Sequence, residues 1–256
     1  MAPLIEDSIE DSYEKIFANK NKILVVFAHP DDLELYCGGT VARLIADGKK
    51  VRSIKMTSGE MSSRQKKITT EELQEIRERE DASSMNMLGI KPEDSIYLRM
   101  GDGKIENNLD IVGQLAKQIR IFQPDLIITH NPEDIIVRFD KDVNWFNHRD
   151  HRHTGQVVID ASYPYARDIL FFPEHFQDAN AKSWTCAEFL LVDYYQHPDL
   201  VHIDVTNTVE RRVKAHSCHS SQYSIADAQN SADFFTCHND YPEGKRFERF
   251  RYVVVD

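Results

Sequence analysis

The stretch KILVVFAHPDDLELYCGGTVARLIADGKKVRSIKMT, residues 22–57, holds two apolar runs separated by a polar turn and a helical segment. Residues 22–28, KILVVFA, form a short apolar run that stops abruptly at His29-Pro30-Asp31-Asp32. The following CGGTVARLIADG has helical spacing and closes on Gly48. VRSIKMT, 51–57, then reads as a second strand, so the unit is strand, loop, helix, strand.

The alternation continues outward from this unit. A polar loop, TSGEMSSRQKK, leads to Thr69, and Glu72 three residues later completes a capping-box signature for a helix that stops at Gly89. Ser95 to Leu98 reads as a strand, Leu109 to Phe122 as a helix, and Asp125 to Thr129, DLIIT, as a strand behind Pro124. Strands alternating with helices predict an α/β fold, a Rossmann-like and largely parallel sheet with helices on both faces. Such sheets bind ligands outside the carboxyl ends of their strands, so the HPDD turn and the segment after DLIIT are expected to converge. After residue 160 the pattern weakens; 187–195 and 200–205 read as strands and 209–219 as a helix. With no repeat and no Gly/Pro-rich linker, residues 1–256 are expected to form one domain, the first 20 a peripheral helical segment.

Composition narrows the function. Of the 256 residues 41% are hydrophobic, enough for a substantial core. Lys+Arg of 31 against Asp+Glu of 42 gives a net charge of -11, which disfavours long contacts with nucleic acid or anionic membranes. The acidic start, MAPLIEDSIEDSYEKIF, lacks the cationic and apolar regions of a leader, and no stretch approaches the roughly 18 apolar residues of a membrane span. A cytoplasmic protein without membrane insertion is expected. Cys37, Cys186, Cys218 and Cys237 lie far apart, as reduced thiols do. The oligomeric state, a homo-oligomer included, stays open.

Two clusters carry chemistry. AHPDDLE, 28–34, packs an imidazole and three carboxylates into a turn at a strand end, and a bound cation would offset the cost of gathering like charges. NHRDHRHTG, 147–155, offers three histidines and an aspartate, with His148 and His151 on one face if the stretch is helical. A catalytic zinc wants three protein ligands and an open position, a count met by a histidine and a carboxylate from the first cluster plus a histidine from the second. Taken singly, each cluster has a plainer reading, an aspartate capping the next helix or a solvated helix start.

AHPDDLELYCGGTVARL, 28–44, followed by HRDHRHTG, 148–155, resembles the deacetylase superfamily named after the LmbE protein and the N-acetylglucosaminylphosphatidylinositol deacetylase. Mycothiol-pathway and diacetylchitobiose deacetylases are relatives in it. The resemblance extends to MTSGE (56–60), Arg77 and Glu80 leading into Leu88-Gly89, GDG (101–103), QPDLIITHNP (123–132), Lys214, Ala215, His219, Ser221 and Gln222, and RFERF (246–250). It implies a zinc-dependent hydrolase that removes the acetyl group from an N-acetylated amino sugar, with one zinc or other divalent ion per chain. It further implies that His29, Asp32 and His151 bind the metal, that Asp31 is the general base, and that His148 donates to the oxyanion. Asp150 would hold His148 oriented and favour its charged form. Arg149 stands where the family commonly has proline, a position that contributes no ligand. The alternatives are an amidase for another amide, such as a thiol-sugar conjugate, and a non-catalytic carbohydrate-binding protein, whose expected mark, loss of the base or a ligand, is missing.

Other residues admit two readings. On a helix, Leu73, Arg77, Glu80, Ser84 and Leu88 share a face, so Arg77 and Glu80 either pair with each other or Arg77 reaches a sugar hydroxyl. Asp102, in its Gly-flanked turn, is a second candidate for substrate binding. Glu34 is expected to brace its loop, Trp145 and Phe146 to pack rather than stack on a sugar, and His130, His153 and His219 to stay outside the metal shell.

Overall fold

The computed structural model describes residues 9–63 and 67–255. In chain order the elements are α1 (Tyr13–Phe17), β1 (Lys22–Phe27), α2 (Asp32–Ala46), β2 (Lys50–Lys55), α3 (Thr70–Leu88), β3 (Ser95–Tyr97), α4 (Leu109–Phe122) and β4 (Leu126–Thr129). They continue as β5 (Ile136–Arg138), β6 (Asn144–Phe146), α5 (Arg149–Asp160), β7 (Glu188–Leu191), β8 (Leu200–Asp204), α6 (Val209–His216), α7 (Ile225–Thr236) and β9 (Phe247–Val254).

Seven strands form one sheet in the order β3-β2-β1-β4-β7-β9-β8, and β5 pairs with β6 in a separate antiparallel ribbon. The pairs from β3 through β7 are parallel, while β9 runs antiparallel to both β7 and β8. Successive side chains of β1 leave by opposite faces, as the period of a strand requires. Ile23, Val25 and Phe27 enter a core with α2, α3 and α6, whereas Leu24 and Val26 enter a second core with α4 and α5. The expected parallel sheet with helices on both faces is therefore what forms. From β1 the chain builds outward to β3, then returns to lay β4 on the other flank of β1. That reversal opens the crevice between the carboxyl ends of β1 and β4 in which such sheets hold ligands.

The α3 boundaries follow their signals: Thr69 and Glu72 form the capping box and Gly89 closes the helix at φ 95°. In α2, by contrast, the helix starts at Asp32, earlier than its apolar spacing suggests, and Cys37 interrupts it at φ -144°, ψ 18°. The amides of Gly39 and Thr40 then donate to the Glu248 carboxylate on β9, at 2.9 and 2.7 Å. Buried Arg212 completes the cluster, 3.2 Å from Glu248. The two glycines are needed here because a Cβ on Gly38 would fall 2.9 Å from Arg212 Cγ, and one on Gly39 2.7 Å from Val205 Cβ.

The N-terminal expectation needs correction. Residues 1–8 lie outside the described residues, but Tyr13, Ile16 and Phe17, at i, i+3 and i+4, are buried in the first core rather than peripheral. No helix among the described residues is long and apolar enough to cross a membrane.

Replacing Glu248 by alanine should leave Arg212 charged and unpaired in the interior and strand two amides. The expected loss is about 3–5 kcal/mol of unfolding free energy, read as a lower denaturation midpoint. A loss within the ordinary range of a surface substitution would show that the cluster contributes little.

Candidate metal and catalytic site

At the carboxyl end of β1 the chain turns through His29 and Pro30 into α2. Asp31 is the residue preceding the helix and takes a left-handed backbone, φ 96°, ψ -29°. For a non-glycine residue that conformation costs about 1–3 kcal/mol and persists only when its surroundings hold it. The turn sends the two aspartates into different neighbourhoods. Asp32 accepts the His29 amide at 2.8 Å and lies 3.4 Å from His29 Nδ1 and 3.3 Å from His151 Nε2. Burial works to raise its pKa, but the His151 and His130 imidazoles outweigh it and hold the carboxyl well below the usual range. Asp32 thus turns Oδ2 to His29 and Oδ1 to His151, at separations near the roughly 3.3–3.4 Å between ligand atoms about 2.0–2.1 Å from a tetrahedral ion.

The second cluster meets the first through α5. His148 is its N-cap and His151 lies in its first turn, and ring nitrogens of His29, His148 and His151 come within 4.8 Å of one another. His130, directly after β4, stacks on His151 with centroids 3.9 Å apart and rings 7° from parallel. Its Nε2 accepts the Ala28 amide at 3.1 Å and stands 3.3 Å from Asp32 Oδ2, so Asp32, His130 and His151 also form a group whose atoms lie within reach of one ion. Sequence reasoning left His130 without a role, although its place at the end of DLIIT was a usable signal.

Two placements, those of Asp150 and His148, differ from expectation, and Asp102 gains a further contact. The Asp150 carboxylate turns away from His148; it accepts the Gly103 amide at 2.6 Å and sits 3.6 Å from His29 Nε2. Asp102, expected at a sugar hydroxyl, lines the same cavity as His29, 3.2 Å from the same nitrogen, and accepts the Met61 amide at 3.1 Å. Both carboxylates therefore fix the His29 ring and leave Nδ1 toward Asp32, the arrangement by which outer carboxylates orient a metal-binding histidine. What holds His148 is the backbone amide of Asp150, which donates to Nδ1 at 3.2 Å. Burial, then the His29 and His151 imidazoles, lower the His148 pKa, so the ring is neutral at neutral pH and its proton sits on Nε2. The expected charged His148 is corrected to a neutral N–H donor.

Arg77 and Glu80 do not pair with each other. Arg77 bonds Asp31 Oδ2 and the Pro30 carbonyl at 2.7 Å each and the Gly59 carbonyl at 3.0 Å. Glu80 accepts from Ser220 and from the amide and hydroxyl of Ser221, at 2.7–2.8 Å, tying α3 to the turn between α6 and α7. Burial raises the Asp31 pKa to about 6, against the pull of Arg77. His29, Asp31, Asp32, Arg77, Asp102, His148 and His151 line one open cavity of about 560 Å³, with Met61, Ser62 and Tyr223 among its other walls. That volume suits a small ligand.

Beneath the turn, fully buried Glu34 accepts from Ser84 and lies 3.2 Å from His219 Nε2. Glu34 thus braces the loop, as expected. Trp145 packs against Phe139, Tyr195 and Phe235, whereas Phe146 is 82% exposed, contrary to the packing expected of it, because it points off the outer face of the two-stranded ribbon. For His219, burial opposes the charged form, but the Glu34 carboxylate outweighs it and raises the pKa to about 9. A raised histidine adds stability in full below its unfolded value near 6.5. That contribution should fade as pH climbs from about 6.5 through 9. Denaturation midpoints of the parent should fall across this window relative to those of His219→Gln; parallel curves would show that the buried pair carries no proton-linked stability.

Comparison with known proteins gives the chain its relatives. The family model described as PIG-L, GlcNAc-PI de-N-acetylase, matches residues 24–162, more than half of the chain. The chain is 24% identical over 207 residues to a diacetylchitobiose deacetylase of Thermococcus kodakarensis, covering 81% of this chain and 72% of that protein. It is 26% identical over 212 residues to a probable N-acetyl-alpha-D-glucosaminyl L-malate deacetylase 2 of Bacillus anthracis, covering 80% and 83%. Among solved structures, the N,N'-diacetylchitobiose deacetylase of Pyrococcus horikoshii, in complex with an inhibitor, superposes with a TM-score of 0.76 at 25% identity, covering 93% of this chain and 85% of that one.

Proposed function

The chain belongs to the PIG-L family, and from that premise we propose that it is a metal-dependent hydrolase that removes the acetyl group from an N-acetylglucosamine-type sugar. The observation that carries the reading is the Asp32 carboxylate set between His29 Nδ1 and His151 Nε2, 3.4 and 3.3 Å from its two oxygens, with Asp31 and His148 on the same cavity. The similar proteins named above differ in what their sugar is joined to, and an N-acetylglucosaminyl group is common to those names.

In this reading His29, Asp32 and His151 would hold one ion, zinc in preference because the donors are two imidazoles and a carboxylate. When bound, such an ion lowers the pKa of a water toward about 7 and polarises the amide carbonyl. Asp31, with its pKa raised to about 6, is still largely ionised at neutral pH and takes the proton of the attacking water. His148 donates its Nε2 proton as a hydrogen bond to the carbonyl oxygen while that oxygen gains charge. Asp31 then returns its proton to the nitrogen as the C–N bond breaks, releasing acetate and the free amine. Asp102 and Asp150 keep the His29 ring from turning.

Zinc-loaded protein incubated with N-acetylglucosamine, its methyl glycoside and diacetylchitobiose should release acetate from at least one. Release from none would overturn the reading. Asp31→Asn should retain the metal yet lose activity by roughly a hundredfold or more, since an amide cannot take a proton. Near-parental turnover by that variant would remove Asp31 as base. His151→Ala should lose stoichiometric metal by elemental analysis, and a parental metal content would take His151 out of the shell. His148→Ala should lower kcat by roughly a hundredfold to a thousandfold with little change in KM. A raised KM at parental kcat would instead mean that His148 positions substrate.

A further inference from the structure

Between β3 and α4 the chain runs from 98 to 108 without a helix or strand, turning through two left-handed glycines, Gly101 at φ 87° and Gly103 at φ 77°. Such backbone takes its shape from outside ties, because glycine itself imposes little. The first half is tied to the loop after β2: the Asp102 amide donates to Glu60 at 2.8 Å, and Asp102 accepts the Met61 amide at 3.1 Å. The second half is tied to α5. Asn107 donates to Asp160 at 2.7 Å, the Gly103 amide donates to Asp150 at 2.6 Å, and Arg149, the first residue of α5, reaches two carbonyls. A terminal guanidinium nitrogen carries two hydrogens. Nη1 donates to the Ile105 carbonyl at 2.7 Å and to that of Gly103 at 3.3 Å. The same nitrogen stands 3.5 Å from Asp150 Oδ1, a buried oxygen without a hydrogen bond of its own. Arg149 and Asp150 together therefore grip Gly103 by its carbonyl and its amide.

From this geometry we propose that Arg149 is a positioning residue for the His29 ring: it holds the Gly103 peptide so that its amide stays on Asp150 Oδ2, and Asp150, 3.6 Å from His29 Nε2, keeps Nδ1 turned toward Asp32. The proposal rests on the reading of His29 as a metal ligand. Ile105 is buried in the second core, so the loop stays folded without the guanidinium, which adds the orientation of its peptides. The other contact of Arg149, Nη2 at 3.4 Å from the exposed Glu106 carboxylate, is a surface pair and contributes little. An outer carboxylate that orients a ligand histidine contributes about tenfold to a hundredfold to metal affinity. Arg149 acts on that carboxylate directly at Oδ1 and through Gly103 at Oδ2. As a bare charge it would do the reverse, since a cation beside the site repels a divalent ion and its loss would tighten binding. The sign of the change in affinity separates the two roles.

The test measures the zinc dissociation constant, by competition with a chelator, for the parent, Arg149→Gln, Arg149→Pro and His29→Ala, each checked for a cooperative thermal transition. Proline suits this position. The first amides of a helix have no partner within it, proline is favoured at the first helical residue, and His148 at ψ 141° already has the backbone preferred before a proline. Arg149→Pro therefore removes the tether and leaves the start of α5 intact. Both Arg149 variants should hold zinc roughly tenfold more weakly than the parent. Parental affinity in both would overturn the proposal, and tighter binding would overturn it by marking Arg149 as a plain charge. Parental zinc affinity together with a several-fold higher KM, on whichever acetylated sugar above releases acetate, would overturn it in favour of a substrate contact. If His29→Ala bound zinc as tightly as the parent, the ligand assignment itself would fall and this proposal with it, an outcome distinct from the others. Should the proline variant not fold, Arg149→Gln, which leaves the backbone unchanged, decides alone: weaker zinc binding supports the proposal, and parental or tighter binding overturns it.

Discussion

Asp31 and Asp32 are neighbours in sequence and would repel each other if both faced one environment. The left-handed backbone at Asp31 resolves this by sending the two carboxylates apart, one to a guanidinium and the other into a ring of imidazoles. Burial outweighs Arg77 at Asp31 and drives its pKa upward, whereas at Asp32 the imidazoles outweigh burial and drive it downward. Two adjacent side chains of one type thereby become fit for different tasks. A base must be able to gain a proton near neutrality, and a ligand must not.

That separation needs support from three directions, and the topology supplies it. β1 and β4 lie side by side at the point where the sheet reverses, so the turns after them meet without any long excursion of the chain. The helix following β6 enters the same crevice with His148 and His151, and α3 closes it from the other face of the sheet with Arg77. Each supporting group stands on a rigid element, which keeps side-chain geometry tighter than loops alone allow. The loop between β3 and α4 adds Asp102, 3.2 Å from His29 Nε2, and the Gly103 amide, which donates to Asp150.

Much of this was legible in the sequence because it depends on period and residue type. The apolar run of β1, the capping box at Thr69, and the span of α4 follow local rules that the tertiary structure does not override. β9 was missed as a strand because FERFRYVV mixes charge into its apolar positions, Glu248 serving the kinked helix and Arg249 lying over Phe139 and Tyr195. α1 was misplaced because five residues in an acidic leader give too short a period to judge burial. The cavity residues themselves were recognisable from their types and their order along the chain. Their pairings were not, since spacing says nothing of which carboxylate faces which ring nitrogen. Hence Asp150 was matched with its sequence neighbour His148, while the fold gave it His29.

The neutral state of His148 follows from the same crowding. Ring nitrogens of His29 and His151 stand within 4.8 Å, so a proton added to His148 would sit beside two imidazoles, of which His29, against the opposition of burial, is drawn toward positive charge by Asp102, Asp150 and Asp32. A divalent ion held by those rings would raise the cost of that proton further, because like charge at close range disfavours the charged form. Donation to a developing oxyanion requires an N–H rather than a full positive charge, and the Asp150 amide secures the N–H by occupying Nδ1 as acceptor. Metal binding and hydrogen-bond donation by His148 are thus compatible within one small cavity because burial and the neighbouring imidazoles keep the donor uncharged, while a backbone amide, whose hydrogen does not titrate, fixes which nitrogen carries the proton.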